Sequence, residues 1–351
     1  MKRLTFAPKK LLYTGGEIQS LQALKFLCAI MVFFIHIHTR GHYDYEIYLR
    51  GAVPAFYMIS GYFLLSEDGT LSISRIRRTL RKIVVIAVCA NLAYVVFESI
   101  RNFNDIEWFR KMFLDPEMLL RHILLGDMFC AALWFLNGYG ISLLLIMLAV
   151  RLKVERLLYL WIIPGLILNF IMDNFHMLWS WVRPFDNMFS SNALSCSLPC
   201  MVLGMLLRRH ERILRGRRHM IGFLSVLAVV LLGMTFIEYR LECRMRLYGT
   251  EFFFSEVAFG MVLICLALVC REERWLRVIA GLGRNLSMYI YLSHILVYYL
   301  CALVFFGEVK EYGYENTGFA FIVLAATLLL SLGLHLTARA IKRRKHSDSK
   351  G

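Results

Sequence analysis

The chain has 351 residues, 59% hydrophobic and 19% charged, a balance too apolar for a soluble domain and typical of a polytopic membrane protein. Its formal charge of +15 would point to nucleic acid in a soluble chain, but the basic residues flank apolar runs, which accounts for the charge with no nucleic-acid partner. The nine cysteines include no CxxC pair and mostly lie inside those runs, so neither a disulfide framework nor a zinc site is implied.

The first segment, residues 1–20, precedes an apolar run that lacks a small-residue cleavage site, so it is expected to remain as a cytoplasmic extension of a retained first span. Apolar runs of about 17 to 25 residues, enough to cross a hydrocarbon core of about 30 Å, then occur at 21–38, 47–66, 83–100, 128–150, 157–175, 188–207, 219–238, 252–270, 287–306 and 317–341. The predicted fold is all-α, a membrane bundle of about ten transmembrane helices over 21–341, with a basic cytoplasmic tail at 342–351. Runs 47–66 and 188–207 are the least hydrophobic, carrying RGAVPAFYMISG and SNALSCSLPC, and are expected to be broken or to lean on polar neighbours. The longest connection, 101–127, contains HILLGDM and reads as an outer loop with a short surface or re-entrant helix. If the N-terminus is inside, the inner segments hold 27 of the 40 Lys and Arg residues and the outer loops 10, with Lys25, Arg50 and Arg339 inside spans. That asymmetry places both termini in the cytoplasm and the protein in the inner, cytoplasmic membrane. The basic tail is expected to rest against membrane lipids.

Within the first run, LKFLCAIMVFFIHIHTR, Lys25 and His36 are eleven residues apart. On a helix that is three turns plus about 20°, so the two share a face, roughly 16 Å apart along the axis. His38 points about 200° away from His36. The plain alternative is that Lys25 snorkels to the inner headgroups while His36 sits at the outer interface. Residues 51–65, GAVPAFYMISGYFLL, contain Pro54 and the pair Ser60-Gly61, small residues that let helix backbones approach closely. SRIRRTLRKI, residues 74–83, places Arg78 and Arg81 one turn apart, a spacing at which two guanidinium groups meet one polyanion. A positive-inside cluster is the alternative for these arginines.

With these segments the chain resembles the acyltransferase 3 family, integral membrane acyltransferases that decorate cell-envelope glycans and other acceptors. The resemblance rests on an Arg or Lys some ten residues before a His (Lys25 and His36), on VPAFYMISGYFLL, and on Arg-x-x-Arg (Arg78 to Arg81). It continues with LWFLNGYGISLLL (133–145) and LSMYIYLSHILVYY (286–299), in the family's order along the chain. The chain departs from it where many members carry an Asp before the aromatics of the second span; Pro54-Ala55 stands there.

The resemblance implies that an acyl group, acetyl by default, passes from acyl-CoA on the cytoplasmic side to a hydroxyl of a surface or lipid-linked saccharide, with no permanently bound cofactor. Arg78, Arg81 and Lys25 are then expected to meet the coenzyme's phosphates, and His36 to serve as the base or as a transient acyl carrier. His38 is a rival base. Ser60, Trp134, Glu256, Tyr291 and His294 are weaker candidates for substrate or channel contacts, as is Asp173. No metal cluster is expected, since His36 and His38 face apart and no HExxH occurs. A transporter or flippase using the same charged face, and a scaffold subunit of a polysaccharide synthase, are the competing readings. The acceptor, the acyl group and the oligomeric state are not legible in the sequence.

Overall fold

Each of the ten apolar runs holds a helix in the computed structural model, which describes residues 18–66, 69–127, 129–174, 192–214, 217–245, 253–270, 275–309 and 315–348. Helices are what such runs must form, because a segment without water has to satisfy its own N–H and C=O groups. The α-helices are α1 (Gln19–His36), α2 (His42–Leu49), α3 (Ala52–Leu64), α4 (Ile73–Arg101), α5 (Ile106–Leu114), α6 (Pro116–Leu125), α7 (Trp134–Arg151), α8 (Glu155–Leu160), α9 (Ile162–Asn174), α10 (Leu198–His210), α11 (Met220–Met245), α12 (Phe254–Val269), α13 (Leu276–Phe306) and α14 (Thr317–Asp348). Among the described residues the extended pairing is a single isolated bridge, Leu65 with Leu71. Most of the 1–20 segment and the end of the tail lie outside the described residues.

The expected ten spans resolve into two classes. Six segments are long and apolar enough to cross a membrane: Gln19–His36, Ile73–Arg101, Ala131–Arg151, Met220–Arg244, Leu276–Phe306 and Thr317–Arg344. The other four helices are shorter, 13 residues in α3, α9 and α10 and 16 in α12, or about 20 to 24 Å at 1.5 Å per residue. Local breaks shorten them. The 47–66 run is interrupted at Arg50 and Gly51, between α2 and α3. The 188–207 run begins as a π-helical turn, Ala193–Ser197, before Pro199 opens the regular helix. Both are the low-hydropathy segments in which a break was expected. In the 101–127 loop, Asp105 caps α5 by accepting from the Trp108 N–H, and Asp115 caps α6 with Pro116 at its first position, the residues that start helices best.

The long helices α4, α11 and α14 present exposed apolar faces, while α3, α10 and most of α12 are buried beside α1 and α13. Val84, Val85, Val88, Leu92 and Val96 of α4 are exposed, as are Phe223, Val226, Val229 and Val230 of α11, the apolar exterior that a helix facing lipid presents. By contrast α3 is largely buried and packs backbone to backbone on α10. A Cβ on Gly61 would strike the Met201 carbonyl, and one on Gly204 would strike that of Met58, so the two backbones touch where only glycine permits it. The Ser60-Gly61 expectation is met in this way.

A buried cluster locks one end of this pair: Arg208 Nη1 donates to the Tyr62 hydroxyl and to Glu211 Oε2, both at 2.9 Å, and Tyr62 donates to the same carboxylate oxygen. Along α1, the backbone of Gln22 and Phe26 lies against Gly283 of α13, too close for any side chain there. This contact sets α13 beside α1. GLGRN, residues 281–285, lies inside helix α13 and forms no phosphate-binding loop.

Candidate active site

Lys25, His36, Ser60, Trp134 and Tyr291 line one cavity between α1, α3, α7 and α13. It is a narrow cavity of about 100 Å³, partly open to the surroundings. Lys25 and His36 therefore do share a face, and that face looks into a chamber. The rest of the lining is aromatic and polar, with Phe56, Phe135, Tyr139 and Ser287 beside the five expected residues.

Each side chain is placed by its helix. Lys25 is half-buried, its ammonium 5.1 Å from the centroid of the Phe63 ring, a cation–π distance. His36 is the last residue of α1; the backbone turns extended at Ile37, whose N–H bonds the Phe33 carbonyl. Ser60 Oγ donates to Phe56 O at 2.9 Å within its own helix. Tyr57 stacks on Phe135 with centroids 4.3 Å apart and donates to the Phe135 carbonyl at 3.1 Å, which steadies the turn carrying Trp134. Tyr291 donates to the carbonyl of Ala132, tying α13 to the start of α7.

His294 is buried against the back of His36, ring centroids 5.4 Å apart. Its own ring does not line the cavity. His38 also lies outside the lining, beyond the end of α1; the extended backbone at Ile37, rather than a helical angle, sets it apart from His36. Glu256 is buried in the first turn of α12, beside Gly51, and likewise lies off the cavity. The carboxylate whose charge acts on His36 is instead Glu46 of α2, together with Arg50, to which it is bonded at 2.7 Å. The sequence does contain the signal for that pair, an i,i+4 Glu-to-Arg spacing; only the fold shows that it packs near His36. Asp173 is the residue before the last of α9, and its side chain lies outside the described residues.

Arg78 and Arg81 are exposed on the first turns of α4 and do not line the cavity. They belong to its Lys25 end: Phe63 of α3 meets Lys25, and Leu65, just past that helix, accepts from Arg75 Nη1 at 2.8 Å. Among the described residues no group of three or more His, Cys, Asp or Glu side chains is arranged to hold a metal ion.

Chemically, the chamber offers a cation at one end, an imidazole at the other, and hydroxyls and aromatic rings between. That is a lining for a long, mostly neutral molecule with one charged terminus. No curated protein and no solved structure matches the chain. The family model of the acyltransferase 3 domain, an acyltransferase domain, matches residues 18–336, nearly the whole length. With that match spanning every helix that lines the chamber, the chain belongs to the acyltransferase 3 family of membrane acyltransferases.

Proposed function

We propose that the protein moves an acyl group, acetyl by default, from cytoplasmic acyl-CoA to a hydroxyl of a cell-surface or lipid-linked saccharide across the inner membrane. The observation that carries this reading is the placement of Lys25 and His36 in one cavity. The coenzyme's phosphates meet Arg78 and Arg81 at the entrance and Lys25 inside it, because guanidinium and ammonium groups are the partners phosphate needs. Its pantetheine arm runs along the aromatic lining and brings the thioester toward His36. The acceptor hydroxyl gives its proton to the cavity-facing nitrogen of His36 as its oxygen attacks the thioester carbonyl. A C–O bond forms, the C–S bond breaks, and the leaving thiolate takes the proton back from the imidazolium. Ser60, Trp134 and Tyr291 shape the passage.

The test is transfer of label from radiolabelled acetyl-CoA in membranes containing wild type or His36→Ala at matched insertion, with glycans fractionated afterwards. Label is expected in a glycan fraction with wild type, and His36→Ala is expected to lower it by at least about 100-fold, the scale of general-base catalysis. Equal transfer by both proteins would remove His36 from the mechanism, and no transfer by wild type would refute the donor or the acceptor. Label held on His36 when acceptor is omitted would replace direct transfer with an acyl-histidine.

A further inference from the structure

His294 is 1% exposed. Its Nδ1 lies 2.8 Å from the carbonyl oxygen of Tyr291 and 3.2 Å from that of Ile290. Carbonyls only accept, so Nδ1 bears the proton and Nε2 is left with a lone pair. That Nε2 is buried and makes no hydrogen bond among the described residues, a state that folded interiors seldom leave without a use. Its neighbour is the His36 ring, 5.4 Å away between centroids and inclined by 35°. Imidazole nitrogens stand about 1.1 Å from their ring centroid, so two nitrogens turned to face each other across this gap would lie about 3.2 Å apart, at the long end of hydrogen-bond range.

Further contacts hold His294 in this pose. The Tyr94 hydroxyl of α4 accepts from the Leu296 N–H at 3.2 Å and donates to the Leu292 carbonyl at 3.1 Å. Those two backbone groups pair with each other in a regular α-helix; the phenol is therefore wedged beside the turn that carries His294. The rings of Phe33 and Tyr291 flank the imidazole, each with its centroid 6.3 Å away. The other titratable or charged groups acting on His36 are Glu46 and Arg50 of α2, and His38. Glu46 already accepts two bonds from Arg50, at 2.7 and 3.2 Å, which turns that carboxylate toward the guanidinium.

We propose that His294 is a positioning residue for His36: its Nε2 accepts the N–H of one His36 nitrogen and so turns the other, with its lone pair, into the cavity. The proposal rests on the reading of His36 as the group that meets substrate. No proton leaves the pair; the proton taken from the acceptor enters and departs at the cavity-facing nitrogen.

The test uses the full-length protein in membranes and a readout independent of turnover. An imidazole lone pair attacks a carbonyl carbon of diethylpyrocarbonate and takes up its carbethoxy group, and this modification of His36 is followed by mass spectrometry in wild type, His294→Phe, His294→Gln and Tyr94→Phe. The phenylalanine fills the space without an acceptor and is expected to slow modification by about tenfold, the equivalent of one hydrogen bond. The glutamine brings an oxygen near the place of Nε2 and is expected to restore most of the rate. Tyr94→Phe, which keeps both histidines, is expected to fall between. In acyl transfer, kcat is expected to follow the same order with KM for acyl-CoA unchanged. Modification of His36 at wild-type speed in both phenylalanine variants would overturn the proposal, as would a glutamine variant as slow as His294→Phe. If the modification order holds but wild type transfers no acyl group, the positioning stands and the acyl-transfer reading fails. Transfer by wild type with a flat modification pattern would sink the positioning alone.

Discussion

Lys25 is the residue on which donor binding turns, because it is the cation that lines the cavity while Arg78 and Arg81 remain exposed at the near end. Lys25→Met is expected to raise KM for acyl-CoA by about tenfold, one charge-assisted contact, whereas Lys25→Arg retains most of the affinity. Arg81→Ala should have a smaller effect that fades with added salt, because an exposed charge is screened. Titrating acyl-CoA against initial transfer rate at two ionic strengths measures both; a Lys25→Met enzyme with unchanged KM would place the phosphates elsewhere. At this scale, what the sequence revealed was what helical periodicity carries. Lys25 and His36 lie on one helix, so their angle and rise follow from counting residues. The His36–His294 contact joins two helices from opposite ends of the chain, and no local pattern encodes it. Glu46 lay between the two, its pairing with Arg50 readable and its nearness to His36 not.

The α3–α10 contact is where a single element decides whether the chamber exists. Gly204→Val would drive a branched side chain into the Met58 carbonyl, and loss of folded protein is expected. Gly222→Val on α11 meets open space and should be neutral. The thermal stability of the two variants in detergent separates close packing from a general intolerance of added bulk. At the end of the same pair, Glu211→Ala leaves the Arg208 guanidinium buried without its carboxylate. A loss of about 3 kcal/mol or more is expected, with Tyr62→Phe milder at about 1 kcal/mol; a denaturant or thermal series reads both. The small-residue signal Ser60-Gly61 and the weakness of runs 47–66 and 188–207 were visible in composition. The length of the resulting helices was not, because hydropathy counts apolar residues whether they sit in helix, in the Arg50-Gly51 break or in the π-helical turn. The apolar runs 83–100 and 219–238 lie within or against α4 and α11, but α4 begins ten residues earlier, at Ile73, and α11 runs on to Met245, because the charged turns at those ends carry no hydropathy signal.

For the molecule as a whole, the distribution of Lys and Arg predicts that the Lys25 end faces the cytoplasm. A cysteine introduced at exposed Ser74 is expected to resist a membrane-impermeant maleimide in intact cells and react only after lysis, while one at exposed Asp105 reacts in both. The opposite pattern would invert the protein and place acyl-CoA binding on the wrong side for the proposed reaction. The two classes of helix also bear on what the bilayer has to do. The walls, α4, α11 and α14, are long enough to cross a hydrocarbon layer of about 30 Å, but α3, buried among its neighbours, has 13 residues and reaches only about 20 Å. A short helix enclosed by longer ones is shielded from lipid, so nothing compels its ends to be capped with apolar matter. Where α3 lines the chamber, the helix between its two ends is therefore shorter than the hydrocarbon layer around it. Under the proposed reaction, a charged nucleotide would stay on its own side of that short helix while only the neutral end of its tether passes it, so the permeability seal would survive each turnover without large motion of the bundle.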